Sequence, residues 1–257
     1  MSSTIYEIIV ENKIDILAVT ECSVLDADVL LKMLNGRGSV WRKIEIFQEG
    51  DMALYASNNV KVTVKQEKEH YSCYKFVDTE KEYLLFLVHL PSALHESEAA
   101  RSDYAGEISR DIQCMEESFF GKEEFKSIVL GDFNLQPYSR GIMGYDSFNA
   151  TMSVEHALKG YRIIKGKKKL FYYNPMWKMM GENKLVQGTY YRNRDSEGLS
   201  VYWYTFDEVL LRPYFIKKFE WTSFKILEGT NNRSFVKGNK INSKVYSDHL
   251  PIMFEVV

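Results

Sequence analysis

Short apolar runs that end in a polar residue constrain the fold of this chain more than any other feature. Residues 127–134 hold such a run at 128–130, followed by a glycine and then by Asp132 and Asn134. An apolar, β-branched run of this length predicts a buried strand. Because alternate residues of an extended chain share a face, Asp132 and Asn134 are expected to project together from the strand end. Taken alone, Gly, Asp and Asn are equally typical of a plain turn.

The same pattern occurs at four other places in the chain. Residues 15–21 end in Glu21, residues 83–88 are followed by His89, Asp207 heads the run 207–211, and Asp248 and His249 precede the run 250–254. Each polar residue alone has a simple structural explanation, such as a helix cap, a buried histidine, an edge-strand charge or a turn. Their joint recurrence at strand ends favours one shared pocket instead.

The order of the predicted elements indicates the fold class. Strands outnumber helices, and helices are predicted near residues 4–12, 26–34, 96–119 and 153–159. Thr4 and Glu7 have the spacing of a capping box at the start of the first helix. The pattern predicts an α+β protein with helices outside two mainly antiparallel sheets. No internal repeat and no linker rich in Pro, Gly or Ser divides the sequence, so residues 1–257 are expected to form one domain.

The net charge of −2 conceals an uneven distribution. Residues 159–194 contain ten Lys or Arg and one acid, Glu182, so this segment carries a net +9 and the remainder −11. The residues of this segment that we predict to bind substrate are Lys167, Lys168, Lys169, Tyr173 and Trp177. Lysines neutralise phosphates and aromatic rings stack on bases, so the segment favours nucleic acid as the partner. A solvated loop over a small aromatic core is the alternative.

Three further observations concern the compartment. The three cysteines, Cys22, Cys73 and Cys114, are far apart and include no CxxC pair, which argues against a disulfide framework or a zinc site. The first fifteen residues are not apolar enough for a signal peptide. The longest apolar run, residues 83–88, is far shorter than the roughly 20 residues of a membrane span. We therefore predict a cytoplasmic protein without a membrane span.

Together the motifs resemble those of the endonuclease/exonuclease/phosphatase superfamily, which includes pancreatic deoxyribonuclease, the apurinic endonucleases and the inositol polyphosphate 5-phosphatases. The resemblance covers almost the whole chain. Its most specific part is the pair Gly131-Asp132-Phe133-Asn134 and Ser247-Asp248-His249, about 115 residues apart. The resemblance implies a four-layer α/β/β/α sandwich and a divalent-metal-dependent hydrolase of phosphate esters.

The resemblance also implies a metal ion and the residues that hold it. Glu21 is the expected ligand, and Asp248 would support the metal directly or through water. Carboxylates converging on one pocket repel by roughly 4 kcal/mol per close pair at a surface-like dielectric, and a divalent cation relieves that repulsion. Oxygen ligands without thiolates indicate Mg²⁺ or Mn²⁺.

The remaining motif residues take catalytic roles by the same resemblance. Asp132 would orient or deprotonate the attacking water, and Asn134 would hold the phosphate. His249 would contact the scissile phosphate or act as acid or base, with Asp207 as the acid that orients its ring. His89 would bind the phosphate or protonate the leaving group.

The sequence departs from the family pattern in two places. The family opens with a strand that ends in Trp-Asn, whose Asn helps to position the metal, and this sequence lacks that first strand. Its two or three buried side chains would be worth about 4–9 kcal/mol, comparable with the stability of a whole domain. We therefore expect that the native product begins further upstream or that another segment fills the place. Thr205 stands where nuclease relatives often carry Arg.

These observations favour a nuclease that hydrolyses the DNA or RNA backbone by metal-assisted attack of water. A phosphatase of a small or lipid-linked phosphate, such as an inositol phosphate, is the alternative within the same superfamily. A nucleic-acid-binding module with an impaired active site is the alternative outside enzymes, because the first-strand Asn is absent from the sequence.

Overall fold

The computed structural model describes residues 1–36, 38, 40–44, 51–78, 81–121, 124–181, 186–192 and 201–257. The helices are α1 (Ser2–Asn12), α2 (Ala27–Asn35), α3 (Glu98–Phe120), α4 (Arg140–Met143), α5 (Val154–Leu158) and α6 (Pro213–Ile216), with 3₁₀ turns at Cys22–Val24 and Pro175–Met179. The strands are β1 (Ile16–Thr20), β2 (Trp41–Lys43), β3 (Met52–Ser57), β4 (Lys61–Lys68), β5 (Tyr71–Asp78), β6 (Lys81–His89), β7 (Ser127–Asp132), β8 (Ala150–Thr151), β9 (Tyr161–Ile164), β10 (Lys167–Leu170), β11 (Tyr172–Tyr173), β12 (Tyr190–Tyr191), β13 (Trp203–Tyr204), β14 (Asp207–Leu211), β15 (Phe219–Ile226), β16 (Gly229–Thr230), β17 (Arg233–Ser234), β18 (Val236–Lys237), β19 (Lys240–Ile241) and β20 (Ile252–Val256). None of these helices is long and apolar enough to cross a membrane.

A seven-stranded sheet of order β4-β5-β6-β7-β14-β11-β8 forms the centre of the molecule. Its neighbours pair antiparallel, except β6 with β7 and β11 with β8, which are parallel. The parallel pair β6–β7 is connected by α3, which packs across one face of the sheet. This crossover explains why β6 and β7 end at the same edge.

The two faces of the central sheet are covered by different layers. In β7, Val129 packs with Ile108 and Ile112 of α3, whereas Ile128 and Leu130 face the opposite side. That second side is covered by the sheet β1-β3-β2 and by the separate pair β15–β20. Helices α1 and α2 pack on the outer face of β1-β3-β2. The predicted four-layer α/β/β/α sandwich is therefore confirmed.

The structure differs from the sequence-based prediction in two details. The second β layer is divided, because among the described residues no strand joins β1 to β20. The predicted capping box is wrong: α1 begins at Ser2 without a side-chain cap. Glu7 instead accepts hydrogen bonds from Arg233 Nε at 2.9 Å and Thr230 Oγ1 at 2.8 Å, since that face of α1 lies against the β16–β17 hairpin.

A buried ion-pair network fixes the end of the central sheet where β7 begins. Glu116 of α3 is fully buried and accepts from Arg212 Nε at 2.9 Å and Arg212 Nη2 at 2.5 Å. The hydroxyl of Tyr172 donates to the same carboxylate at 3.0 Å, and that of Ser127 also donates to it. Four donors thus satisfy one buried carboxylate, and we call this group the far-end network.

Candidate functional site

The opposite end of the central sheet carries three of the predicted site residues in register. His89 at the end of β6 lies beside Asp132 at the end of β7, and Asp132 pairs across the strands with Asp207 at the start of β14. Gly131 permits this arrangement, because its φ is +138° and an added Cβ would lie 2.0 Å from the carbonyl oxygen of Val88. Only glycine allows so close an approach of backbone at a positive φ.

His249 joins this group from the loop before β20. Its Nδ1 lies 2.8 Å from Oδ2 of Asp207, so the predicted pairing of these two side chains is present. Ligand atoms of Asp132, Asp207 and His249 all lie within 4.8 Å of one another. Residues more than 100 positions apart in sequence therefore form one cluster.

Asn134 holds the carboxylate of Asp132 in a fixed orientation. Its backbone N–H donates to Asp132 Oδ1 at 2.8 Å, and its Nδ2 donates to Asp132 Oδ2 at 3.0 Å. The same amide donates to the carbonyl oxygen of Leu90 at 3.0 Å. These contacts place Asn134 at φ 48°, a left-handed conformation that Asn tolerates better than most residues. The motif therefore forms a turn, as one interpretation of the sequence predicted, and this turn places the carboxylate of Asp132 beside Asp207.

Glu21 and His89 form the exposed side of the site. His89 Nε2 lies 3.8 Å from Oε1 of Glu21 and 4.0 Å from Oδ2 of Asp132. Glu21 has φ 50° although it is not glycine, and backbone strain of this kind is concentrated at functional sites. Asp248 is exposed next to His249. Glu21 and Asp248 are thus the accessible carboxylates of the site.

Burial and charge shift the protonation of the central residues in opposite directions. Burial, followed by repulsion from Asp207, raises the pKa of Asp132 to about 7. Burial alone would lower the pKa of His249, but attraction to Asp207 and to the other nearby acids outweighs it and raises the pKa to about 10. Burial lowers the pKa of His89, and Glu21 opposes that change. The pocket therefore combines a cationic imidazole with a carboxyl group that ionises near neutral pH.

The donor set fits a hard divalent cation. Asp132, Asp207, Glu21 and Asp248 supply carboxylate oxygens, and Cys22, the cysteine nearest to them in sequence, has a pKa that burial raises. Two imidazoles lie close to this pair among the described residues, His249 at 2.8 Å from Asp207 and His89 at 4.0 Å from Asp132, and burial lowers the pKa of His89, which favours its neutral form. A buried carboxylate pair of this kind is stabilised by a cation with oxygen ligands. Nδ1 of His249 is engaged by Asp207, so the oxygens are the better ligands.

The predicted substrate-binding residues lie in three different environments. Tyr173 is buried in the core, with 6% of its surface exposed, against Trp221. Trp177 is half-buried in the 3₁₀ turn Pro175–Met179 and lies 6.3 Å from the ring of Tyr138, a residue 51% exposed. Of the five residues, Trp177 therefore has the most accessible aromatic partner.

Lys167, Lys168 and Lys169 lie on β10, in a hairpin with β9. The hairpin leads into β11, which meets β14 at Leu211 rather than at Asp207. Four residue steps along β14 correspond to about 14 Å, so the structure does not bring these lysines to Asp132. The hairpin lies beyond the far-end network and exposes Lys167 and Lys168 to solvent.

Sequence reasoning missed the segment Gly188–Tyr190, which contacts the cluster directly. The ring of Tyr190 lies 4.9 Å from that of His249 and stacks on Phe206 at 5.4 Å. The alternation of residues 188–191 predicts a strand and no site residue. Nothing in its pattern marks a contact with His249, because the two residues meet only through an isolated β-bridge of the folded chain.

Comparison with known proteins supports the fold. No protein-family model and no curated protein matches the chain. Among solved structures, the mannosyl-6-phosphatase Bt3783 of Bacteroides thetaiotaomicron is 15% identical with a TM-score of 0.57, and the match covers 98% of this chain and 89% of that one. An endonuclease/exonuclease/phosphatase family protein of the same organism is 15% identical with a TM-score of 0.54, over 98% and 86% of the two chains.

A third similar structure is the endonuclease domain of TRAS1, a telomere-specific retrotransposon. It is 14% identical with a TM-score of 0.52, and the match covers 98% of this chain and 91% of that one. At these identities the likeness concerns the fold. The chain has the fold of the endonuclease/exonuclease/phosphatase proteins, as the sequence motifs predicted.

Proposed function

We propose that this protein is a Mg²⁺- or Mn²⁺-dependent nuclease that hydrolyses phosphodiester bonds of DNA or RNA. The cluster of Asp132, Asp207 and His249 within 4.8 Å is the observation that carries the proposal. If the cluster served only to stabilise the fold, its charges would be expected to balance. Instead, two carboxylates share one imidazole, so negative charge is in excess. An excess of acids at a strand-end cluster is what a metal-assisted hydrolase requires.

In this proposal Glu21 and Asp248 are metal ligands, and the ion would neutralise phosphate charge when bound. Asp132 has a carboxyl pKa of about 7, which suits a group that takes a proton from water near neutral pH. His249 donates its Nδ1 proton to Asp207 and keeps a second N–H for a phosphate oxygen. A raised pKa keeps that imidazole protonated during the reaction.

The other polar residues bind and orient the substrate. Asn134 fixes the carboxylate of Asp132. Both N–H donors of its amide are engaged, by Asp132 and by the carbonyl oxygen of Leu90, so Asn134 would hold the phosphate only by exchanging one of these bonds. His89 has a lowered pKa, so it is neutral and hydrogen-bonds to the phosphate or the leaving oxygen. Trp177, together with Tyr138, provides rings on which a base can stack.

Nucleic acid as substrate is supported by the charge of the β9–β10 hairpin. Lys168 lies over the ring of Tyr161 at 4.4 Å, and both side chains are exposed. Because the hairpin is about one strand length from Asp132, its lysines would contact a long polyanion away from the scissile bond. We therefore propose that Lys167, Lys168 and Lys169 bind the substrate backbone. Tyr173, which is buried against Trp221, would support the substrate-binding segment without touching the substrate.

A phosphatase of a small or lipid-linked phosphate is the second candidate. The similarity to a structure named mannosyl-6-phosphatase favours it, because a protein of the same fold is named for removing phosphate from a small molecule. A small substrate would need no contact with the distant hairpin. The two candidates therefore differ in whether the hairpin lysines matter.

Parallel assays of plasmid DNA, single-stranded DNA, RNA and inositol phosphates with Mg²⁺ test the proposal, with Asp132→Ala as the control. We expect hydrolysis of at least one nucleic acid by the wild type and none by the variant. Release of phosphate from inositol phosphates alone would favour the second candidate. Tight, salt-sensitive binding of nucleic acid without any hydrolysis would indicate a binding module and contradict the enzyme proposal.

Two sequence-based predictions accompany this function. A cytoplasmic location is supported by Cys22, Cys73 and Cys114, among which no disulfide forms. A single catalytic domain over residues 1–257 is supported by the central sheet, which combines strands from residues 61–211.

A further inference from the structure

The segment Gly188–Tyr190 runs between the two stretches of chain that carry the pair His249–Asp207. On one side, the N–H of Thr189 donates to the carbonyl oxygen of Tyr204 at 2.8 Å. On the other side, the carbonyl oxygen of Thr189 accepts from the N–H of Leu250, the residue after His249, at 2.7 Å. The backbone of Thr189 is thus hydrogen-bonded both to the stretch that leads to Asp207 and to the residue that follows His249.

The side chain of Thr189 adds two hydrogen bonds to the stretch that carries Asp207. Its Oγ1 accepts from the backbone N–H of Asp207 at 3.1 Å and from that of Phe206 at 3.2 Å. A hydroxyl oxygen has two acceptor positions, so both are used. Thr189 is completely buried, and water does not reach it to replace a lost acceptor.

The neighbouring Tyr190 fixes the ring of the histidine from the side. Its ring packs against His249 at 4.9 Å and stacks on Phe206 at 5.4 Å with an angle of 26°. Phe206 in turn is tied to β7, because its carbonyl oxygen accepts from the N–H of Phe133 at 2.8 Å. Residues 188–190 therefore hold Asp207, His249 and the end of β7 as one unit.

We propose that Thr189 is a positioning residue that keeps Asp207 and His249 at hydrogen-bond distance. It touches neither substrate nor metal and acts through the backbone of Asp207 and of Leu250. Its role in catalysis rests on the proposed function, whereas its role in the geometry of the pair does not. The hydroxyl of Thr189 is the side-chain acceptor for the backbone N–H of Asp207, so its removal leaves that N–H without this acceptor.

The test compares Thr189→Val, which keeps the shape but removes the acceptor, with Thr189→Ser, which keeps the acceptor. Ser127→Ala serves as the matched control, because it removes a buried hydroxyl from the other end of β7. The first readout is the imidazole N–H signal of His249 in NMR spectra of histidine-labelled protein, assigned by its loss in His249→Gln. The second is the kcat and KM of the metal-loaded enzyme on its nucleic acid substrate.

We expect Thr189→Val to shift or broaden the His249 signal and to lower kcat by about 10- to 100-fold, with KM changed less than about twofold, because misplacement affects the reaction more than binding. Thr189→Ser should restore both readouts, and Ser127→Ala should leave both unchanged. Thr189→Ala replaces the valine variant if the latter does not fold.

An unchanged His249 signal in Thr189→Val overturns the proposal, and so does an equal loss of kcat in Ser127→Ala at equal thermal stability. The NMR readout needs no substrate. A shifted signal in a protein without detectable hydrolysis would therefore uphold the positioning role and count against the proposed function alone.

Discussion

The two ends of the central sheet treat buried charge in opposite ways. In the far-end network, the carboxylate of Glu116 accepts hydrogen bonds from Nε and Nη2 of Arg212 and from two hydroxyl groups. The guanidinium therefore balances its charge. At the site end, Asp132 and Asp207 share the imidazole of His249. Both ends are built on β7 and β14 and are separated by one strand length, about 17 Å.

This difference predicts that one end of the sheet stabilises the fold and that the other end binds a ligand. A buried carboxylate that is paired and hydrogen-bonded can be removed only at high cost, since its partner is then left unpaired. Two carboxylates that share one imidazole keep an excess of negative charge, and binding of a cation lowers the free energy of such a pair. Stability is therefore expected to depend on the far end and activity on the site end.

The largest effect is expected for Arg212→Met at the far end. The variant leaves Glu116 buried without its cation, so the free energy of unfolding should fall by about 3–5 kcal/mol in urea titrations. Arg233→Met is the control, because it breaks the half-exposed pair with Glu7 and should lower the free energy of unfolding much less than Arg212→Met does. Equal losses in the two variants would show that the far-end network does not stabilise the fold.

Asp132→Ala should show the reverse pattern. Hydrolysis of the nucleic acid substrate should fall at least about 100-fold, because the group that receives the proton from water is gone. The free energy of unfolding should change by less than in Arg212→Met. The substitution removes a carboxylate whose charged form is already disfavoured by burial and by Asp207. Added Mg²⁺ should raise the melting temperature of the wild type more than that of the variant, which keeps the proposed ligands Glu21 and Asp248 but has less negative charge in the site. A variant that unfolds as Arg212→Met does would contradict the comparison.

Glu208 is a second fully buried carboxyl group, and within the described part of the chain no Lys or Arg pairs with it. Burial raises its pKa well above the ordinary 4.5, and the amide of Asn174 donates to it. The folded state thus keeps a proton that the unfolded state loses above about pH 4.5, so stability falls as pH rises. The slope contributed is about 1.4 kcal/mol per pH unit.

Glu208→Gln should remove this slope. Urea titrations at about pH 5 and about pH 7 should show a smaller loss of stability with pH than in the wild type. The exposed Glu255→Gln is the control and should leave the slope unchanged. If Glu208→Gln has the slope of the wild type, Glu208 is ionised in the folded protein.

The smallest effect is expected for the hairpin beyond the far-end network. Lys167→Glu with Lys168→Glu should weaken binding of long single-stranded DNA several-fold and lower the salt dependence, because each lost phosphate contact changes the log–log slope by about 0.7. Lys237→Glu with Lys240→Glu, on the β18–β19 hairpin, is the matched control. Short oligonucleotides should bind equally to both variants. Equal weakening by the control pair would indicate general charge repulsion.

Local sequence signals predicted much of the fold. The apolar runs that became β1, β6, β7 and β14 were recognised together with the polar residues at their ends. The helix at residues 96–119 was predicted within two residues of α3, since its apolar face repeats along one segment. The capping box at Thr4 failed because a distant partner, Arg233, engages Glu7. Local spacing carries no information about such a contact.

The sequence by itself determined the strands of the site, the polar residues at their ends and the fold class, because these depend on neighbouring residues and on residue type. Only the tertiary structure decided which of these residues meet. It set a distance of 2.8 Å between His249 Nδ1 and Asp207 Oδ2, a pairing that the family resemblance had implied without any geometry. It also placed the lysines of β10 about one strand length from Asp132 and buried Tyr173 in the core. It also placed Thr189 between the two stretches that carry the pair. Such contacts are fixed by strand register and layer packing, which join residues far apart in the chain.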